Sequence, residues 1–323
     1  WQKMVLMSEF QQRGLAVCSL KIADHLQCVK HQFMPAKRKT LKGRNRNKGN
    51  STKLDNRSYQ KSFILDMDGV VYTDSTLIPG ANEFVNRLTK GNYKFLFLTN
   101  NSYYTPLELR ERLLNMGVDV PEDYFYTSAM ATASFLKVQR PNGCSAYVIG
   151  GKGVLDELQK ANVEITSNKP DYVVVAETEE YDYAKITEAT LLVQEGANFI
   201  ATNQDLTGPS QRGPVPACGA LVAPIEKVTG VAPYFLGKPN PAMMFWARKK
   251  LGVHSANCFM IGDRMDTDIV GGLESGMTTC LVLSGVTSRK IMNRFPYQPD
   301  YVFNNLGEID PETILSKRDR VES

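Results

Sequence analysis

From residue 61 onward the chain alternates short, almost wholly apolar runs with longer stretches whose apolar residues recur every three or four positions. "SFILD" (62–66) and "KFLFLT" (94–99) are short, continuous and rich in branched and aromatic residues, as strands covered on both faces read. Between them, "PGANEFVNRLTKGNY" spaces Phe84, Val85 and Leu88 along one helical face and stops near Gly91. "TPLELRERLLNMG" predicts a well-punctuated helix. Thr105 stands at the N-cap, Pro106 at the first helical position, Glu108 in place for a capping box, and Gly117 just past the end. A further strand and helix follow in "YFYTSAMATASFLKVQ".

After the break "RPNGCS" (140–145) the alternation restarts with the strand "AYVIGG", a helix around "VLDELQKA", the strand "DYVVVA", the helix "YDYAKITEATLLVQEG" and the strand "NFIATN". This second series predicts a smaller α/β module, residues 143–231, inserted into the first. The first series resumes at residue 232 with "YFLGKPNPAMMFWARKKLG", where Asn240 caps, Pro241 starts and Gly252 ends a helix. It continues through "NCFMIGDRMDTDIVGGLESGM" and "TCLVLSG". Regular strand and helix alternation predicts an α/β fold: a doubly wound parallel sheet built from 61–142 and 232–312, an inserted α/β cap, and a tail at 313–323.

The first 60 residues have a different character. They carry 13 Lys and Arg against three Asp and Glu, a net charge of about +10, which leaves the remainder near −6 within an overall +4. "PAKRKTLKGRNRNKGNSTKLDNR" (35–57) has too few large apolar residues to offset ordering entropy, and predicts a disordered extension. Residues 1–34 leave three readings open: an amphipathic helix, a transit peptide, and a fragment boundary or mis-assigned start. Basic tails attract phosphates, yet no aromatic interleaving or zinc-finger spacing accompanies this one, so specific nucleic-acid binding is not expected. No apolar run reaches the roughly 18 residues of a membrane span and no secretory signal opens the chain, which makes a cytoplasmic location the expectation. The six cysteines contain no CxxC pair and read as reduced thiols. Three histidines, two of them within the first 60 residues, leave little material for a zinc site or a Ser-His-Asp triad. Chemistry falls to Asp, Lys and a hard metal.

In an open α/β sheet, ligands bind beyond the carboxyl ends of the strands. Asp66 and Asp68 end one strand, and Thr99, Asn100 and Asn101 end the next. Lys238 follows "YFLG", and Asp263 follows "CFMIG" with Asp266 and Asp268 just beyond. Asp66 and Asp68 project in the same general direction, so their like charges call for a cation between them. Several carboxylates, a hydroxyl, amides and one lysine suit Mg²⁺ with a phosphate, because Mg²⁺ prefers hard oxygen ligands. Gly69 would let the chain turn close to such a ligand.

"DMDGV", "LTNN", "GKPNP" and "GDRMDTD" resemble, in order and spacing, the four motifs of the haloacid dehalogenase (HAD) superfamily of phosphohydrolases. "DVPEDYFYTSAMATASFL", "FIATNQD", "PACGALVAPIEKVTG" and "FLGKPNP" are similar to its NagD-like, p-nitrophenylphosphatase subfamily, which carries a C2-type (IIA) α/β cap between the second and third motifs. The resemblance spans about residues 61–312. It implies that Asp66 is the nucleophile that becomes an aspartyl-phosphate and that Asp68 is the general acid/base. Thr99 would bind the phosphoryl oxygens with the backbone at Gly69 and Asn100, and Lys238 would stabilise Asp66 and the developing charge. Asn101 joins the phosphate-binding set, with plain loop structure as its alternative, as for Arg264 and Asp266. Asp66, Asp263 and the main-chain carbonyl of Asp68 match the Mg²⁺ ligands, and Asp268 would orient metal-bound water.

The implied reaction is Mg²⁺-dependent hydrolysis of a small phosphorylated metabolite. Nucleoside monophosphates are the leading substrate class, and phosphoglycolate or sugar phosphates the alternative. In "AETEEYDY", Glu177 could meet ribose hydroxyls, while Glu179 and Glu180 read as a solvated helix start. Subfamily members often dimerise through the cap, so a homo-oligomer is an expectation carried by the resemblance alone. A dehalogenase would need neither metal nor Asp68 and Asp263; a phosphotransferase or mutase stays open. The reading from outside enzymology is a catalytically weak phosphometabolite-binding regulator.

Overall fold

In the computed structural model, which describes residues 60–208, 210, 212–317 and 319, the apolar runs assemble into two parallel sheets. The expected 1–60 extension lies, apart from Gln60, outside the described residues. The larger sheet has six strands in the order Tyr301–Phe303, Thr278–Val282, Cys258–Gly262, Ser62–Leu65, Lys94–Thr99 and Phe125–Thr127, each pair parallel. The strand that ends in Asp66 is therefore central, flanked by the strand that ends in Thr99 and the strand that leads to Asp263. Strand alternation sorts its side chains. Phe63, Leu65, Phe95, Phe97, Phe259 and Ile261 pack on one face with Phe84, Leu88, Leu109 and Leu113, and Ile64, Leu96, Leu98 and Met260 on the other with Met243, Met244 and Ala247.

Helix boundaries follow local chemistry. The Pro106–Asn115 helix has its full capping box: Glu108 N–H donates to Thr105 Oγ1 at 3.2 Å, and Thr105 N–H donates to Glu108 Oε2 at 2.8 Å. The Pro241–Leu251 helix starts with the Asn240 side chain accepting from Ala242 N–H and ends at Gly252 in the left-handed region, φ 64°.

The smaller sheet runs Tyr234–Phe235, Asn198–Ala201, Tyr172–Val175, Cys144–Ile149 and Val163–Ile165, again all parallel. Two of these strands differ from the sequence expectation. Tyr234–Phe235, read as the return to the first series, pairs instead with Asn198–Ala201, so the chain leaves this sheet after Phe235 and not at 231. Val163–Ile165 is a three-residue edge strand with two exposed side chains, too short and too polar to register as an apolar run. At the other end, residues 313–317 are not a loose tail. Ile314 is buried in the main core, and Lys317 N–H donates to Thr278 Oγ1 at 2.8 Å.

The Ser128–Gln139 helix joins the two sheets. Ala131 packs with the larger sheet beside Leu96 and Met243, while Ala129, Ala133, Phe135 and Leu136 pack with Ala146, Tyr172, Val174 and Leu158 of the smaller module. Small and apolar residues on two sides of this helix let it pack against both sheets, which explains the run "SAMATASFL", while its last residues Lys137, Val138 and Gln139 are exposed. Elsewhere in the core, Phe63 stacks on Phe259 at 5.1 Å between centroids and meets Phe84 edge to face at 5.8 Å. Phe63→Ala should lower unfolding free energy by about 3–5 kcal/mol, measured by urea titration; a loss under about 1 kcal/mol would contradict this packing.

Candidate active site

The carboxyl ends of the central strands bring Asp66, Asp263, Asp268 and Lys238 together. Asp66 is fixed by its own N–H, which donates to Ile261 O at 2.8 Å and continues the ladder one residue past the strand. Lys238 Nζ lies 2.6 Å from Asp66 Oδ1 and 2.8 Å from Asp268 Oδ1. All four side chains are buried, Lys238 to 2% exposure and Asp268 to 0%. Asp263 Oδ2 accepts from Val286 N–H at 2.6 Å, and its Oδ1 is buried with no hydrogen-bond partner.

Two glycines make room for this crowding. Gly69 turns at φ 77°, and a Cβ there would sit 2.6 Å from Asp263 Oδ2. Gly262 precedes Asp263, and a Cβ on it would lie 2.2 Å from Asp268 Cβ, so any side chain would force Asp268 outward. Asp268 itself is carried by a π-type turn, Met265–Ile269, and its Oδ2 accepts from Arg264 N–H at 3.1 Å.

Asp66, Asp263 and Asp268 each offer an oxygen within 4.8 Å of the others. With all three ionised, the carboxylates outnumber the Lys238 ammonium they bond, and the Arg264 guanidinium beyond offsets the excess only in part. A divalent cation fits that deficit, hard oxygen donors suit Mg²⁺, and the orphaned Asp263 Oδ1 is the atom a cation would satisfy. Burial pushes the Asp263 carboxyl up to about 7, with the Asp268 charge adding to it. Burial and then Asp268 hold Asp66 well above the usual carboxylate range, against the pull of Lys238. For Lys238 burial alone would favour the neutral amine, but Asp268 and Asp66 reverse it and keep the ammonium charged.

The remaining sequence-predicted residues divide. Thr99 is buried beside Asp66's strand, and its Oγ1 accepts from Asn101 N–H at 3.0 Å, which leaves the hydroxyl proton free to donate. Asp68 is half-buried; burial raises its pKa, opposed chiefly by the Arg112 charge, and Tyr72 OH reaches its Oδ2 at 3.5 Å. Gly69 N–H donates to Tyr72 O at 2.8 Å, a bond that holds the turn after Asp68. Asn101 holds a turn as well, its Oδ1 accepting from Tyr103 and Tyr104 N–H. Asn100 acts through its carboxamide, accepting from Lys238 N–H at 2.7 Å and donating to Asp205 Oδ2 at 2.9 Å. Asp268, expected to orient metal-bound water, has Lys238 as its observed partner.

Glu177 is also re-employed. Its Oε2 accepts from Ser102 N–H at 3.0 Å and its Oε1 from Asn203 Nδ2 at 3.3 Å, which ties the smaller module to the loop after Thr99. Burial raises its pKa to about 7. Ser102, Asn203 and Asp205 escaped the sequence reading; "TNQD" at a strand end was the available signal, masked because polar residues there are ordinary turn formers.

The elevated carboxyls set a stability signature. Asp263 binds a proton in the folded state up to about 7, against 3.8 in the unfolded chain, so its contribution is full at low pH and is lost as pH rises through the folded value. With EDTA present, the melting temperature should fall from about pH 5 to about pH 7.5, and Asp263→Asn should flatten part of that slope. Mg²⁺ should restore the wild type and not the variant; identical pH profiles for both proteins would refute the crowded-carboxylate account.

Comparison with known proteins agrees with this geometry. A haloacid dehalogenase-like hydrolase family model matches residues 63–164, and a HAD-hydrolase-like model matches residues 235–309. The chain is 45% identical over 248 residues to a dihydroxyacetone phosphatase of Corynebacterium glutamicum, covering 77% of this chain and 90% of that protein. It is 42% identical over 250 residues to the ribonucleotide monophosphatase NagD of Escherichia coli, covering 77% and 98%. The solved structure of NagD from E. coli superposes with a TM-score of 0.74 at 41% identity, covering 78% of this chain and 99% of that one. With the acidic strand ends, the buried lysine and the second α/β module all accounted for, the chain belongs to the NagD-like phosphatases of the HAD superfamily, enzymes that hydrolyse phosphoric monoesters.

Proposed function

We propose that this chain is a Mg²⁺-dependent phosphatase of small organic phosphates working through an aspartyl-phosphate on Asp66. The observation that carries the reading is the Lys238 ammonium bonded at once to Asp66 and Asp268, next to an Asp263 oxygen without a partner. Asp66, Asp263 and the main-chain carbonyl of Asp68 would hold the cation, which supplies positive charge against the phosphoryl oxygens. The Asp66 carboxylate attacks phosphorus while Lys238 and the Thr99 hydroxyl neutralise and orient the phosphoryl group. Asp68 gives its proton to the departing alkoxide, releasing the alcohol. Its carboxylate then takes a proton from the water that attacks the aspartyl-phosphate, freeing phosphate and Asp66. An Asp68 that burial keeps above its ordinary pKa suits the first, acidic half of that exchange.

Nucleoside monophosphates remain one substrate reading, consistent with the NagD relative. A second reading, triose or sugar phosphates, gains from two facts. Each Glu177 oxygen already accepts a hydrogen bond from the protein, from Ser102 and Asn203, so the residue has a structural duty besides any ribose contact, and one relative is a dihydroxyacetone phosphatase. Phosphate release across 5′-nucleoside monophosphates, dihydroxyacetone phosphate, phosphoglycolate and p-nitrophenyl phosphate separates the two by kcat/KM.

Asp66→Asn should abolish phosphate release, and EDTA should silence the wild type until Mg²⁺ is returned. The variant should keep the wild-type circular dichroism spectrum and lose the capture of beryllofluoride. Substantial turnover by Asp66→Asn, or in EDTA, would end this reading.

A further inference from the structure

Asp205 comes from the smaller module, four residues beyond the Asn198–Ala201 strand, yet one of its oxygens is spent in the larger one. Its Oδ2 accepts from Asn100 Nδ2 at 2.9 Å. The same carboxamide grips the backbone of Lys238 on both sides, accepting from its N–H at 2.7 Å and donating to its carbonyl at 3.3 Å. Asp205 is fixed to its own module by two backbone bonds: its N–H donates to Asn203 Oδ1 at 3.1 Å, and its carbonyl accepts from Gly219 N–H at 2.9 Å. The second carboxylate oxygen, Oδ1, is buried without a hydrogen-bond partner, 3.8 Å from the Arg264 guanidinium, which is forked onto Asp266 at 3.1 and 2.9 Å. A carboxylate held by the cap thus braces the amide that holds the buried lysine.

We propose that Asp205 is a positioning residue that makes the alignment of Lys238 depend on how the cap is seated, acting through the Asn100 carboxamide. The inference rests on the reading of Lys238 as the group that stabilises the phosphoryl charge. Asn100 has two donors, and Asp205 fixes which way its amide faces; with the amide so oriented, Lys238 N–H and C=O are both held and its Nζ stays between Asp66 and Asp268. Without Asp205 the amide loses its 2.9 Å acceptor and is held only by its own bonds to Lys238, so the clamp on the lysine backbone loosens. The effect then falls on the transition state, where placement of Lys238 matters most, and little on capture of the substrate.

The test uses the full chain and p-nitrophenyl phosphate at saturating Mg²⁺, comparing wild type, Asp205→Ala, Asp205→Asn and Lys238→Ala. Asp205→Ala should lose about tenfold in kcat while KM moves by less than about twofold. Asp205→Asn keeps a carbonyl acceptor for Asn100 Nδ2 and should recover most of that loss. Wild-type kcat in Asp205→Ala, a loss confined to KM, or equal damage in the alanine and asparagine variants would overturn the inference, the last because charge opposite Arg264 would then be what matters. If Asp205→Ala does not fold, Asp205→Leu, larger and without an acceptor, takes its place. A wild type without turnover, or a fully active Lys238→Ala, brings down the phosphatase reading itself, an outcome distinct from failure at residue 205 alone.

Discussion

A lysine enclosed by protein, with carboxylates on two sides, is the constraint around which this molecule is arranged. Taking an ammonium and three carboxylates out of water costs several kcal/mol per ion, and only close, bonded geometry offsets it. The 2.6 Å and 2.8 Å contacts of Lys238 supply part of that compensation. The rest is deferred, since one Asp263 oxygen has no partner and the cluster keeps an excess of negative charge. The fold tolerates this local deficit because Asp66 follows the central strand and large apolar clusters cover both faces of the sheet around it.

The second sheet is bound to the first at the same spot. Its strands point their carboxyl ends at the loop after Thr99, where Glu177 accepts from Ser102 N–H, Thr202 Oγ1 meets Ser102 Oγ at 2.9 Å, and Asn203 donates to the Asn100 carbonyl at 2.8 Å. These are polar contacts between groups that water could also serve, so each contributes modestly. Their value lies in geometry: they converge on the loop that carries Asn100, the residue whose carboxamide also holds the Lys238 backbone, so the placement of the smaller module and the shape of the site share one network.

Much of this was legible in the sequence because the strong signals were local. Apolar runs gave the inner strands, and Thr105 with Glu108 and Asn240 with Pro241 announced their helices. Asp66, Lys238, Asp263 and Asp268 stood out because they fall in four motifs that occur in order and at the right spacing, where any one of them alone would read as a turn residue. What could not be read depended on partners far apart in the chain. Nothing local says that Tyr234–Phe235 would extend the second sheet, that Ile314 would enter the main core, or that Glu177 would spend both oxygens on positions 102 and 203. The same holds for Asn100, whose carboxamide reaches a residue 138 positions away.

The helix at Ser128–Gln139 bears on how such enzymes diversify. Because its alanines face both cores, it belongs to neither module alone, and excising residues 143–235 would strip one flank of it bare to solvent. Exchange of caps between relatives is therefore not a matter of swapping the inserted segment. The graft must bring along, or match, the small side chains at 129 and 133, so this shared surface binds the smaller module to the scaffold that carries it.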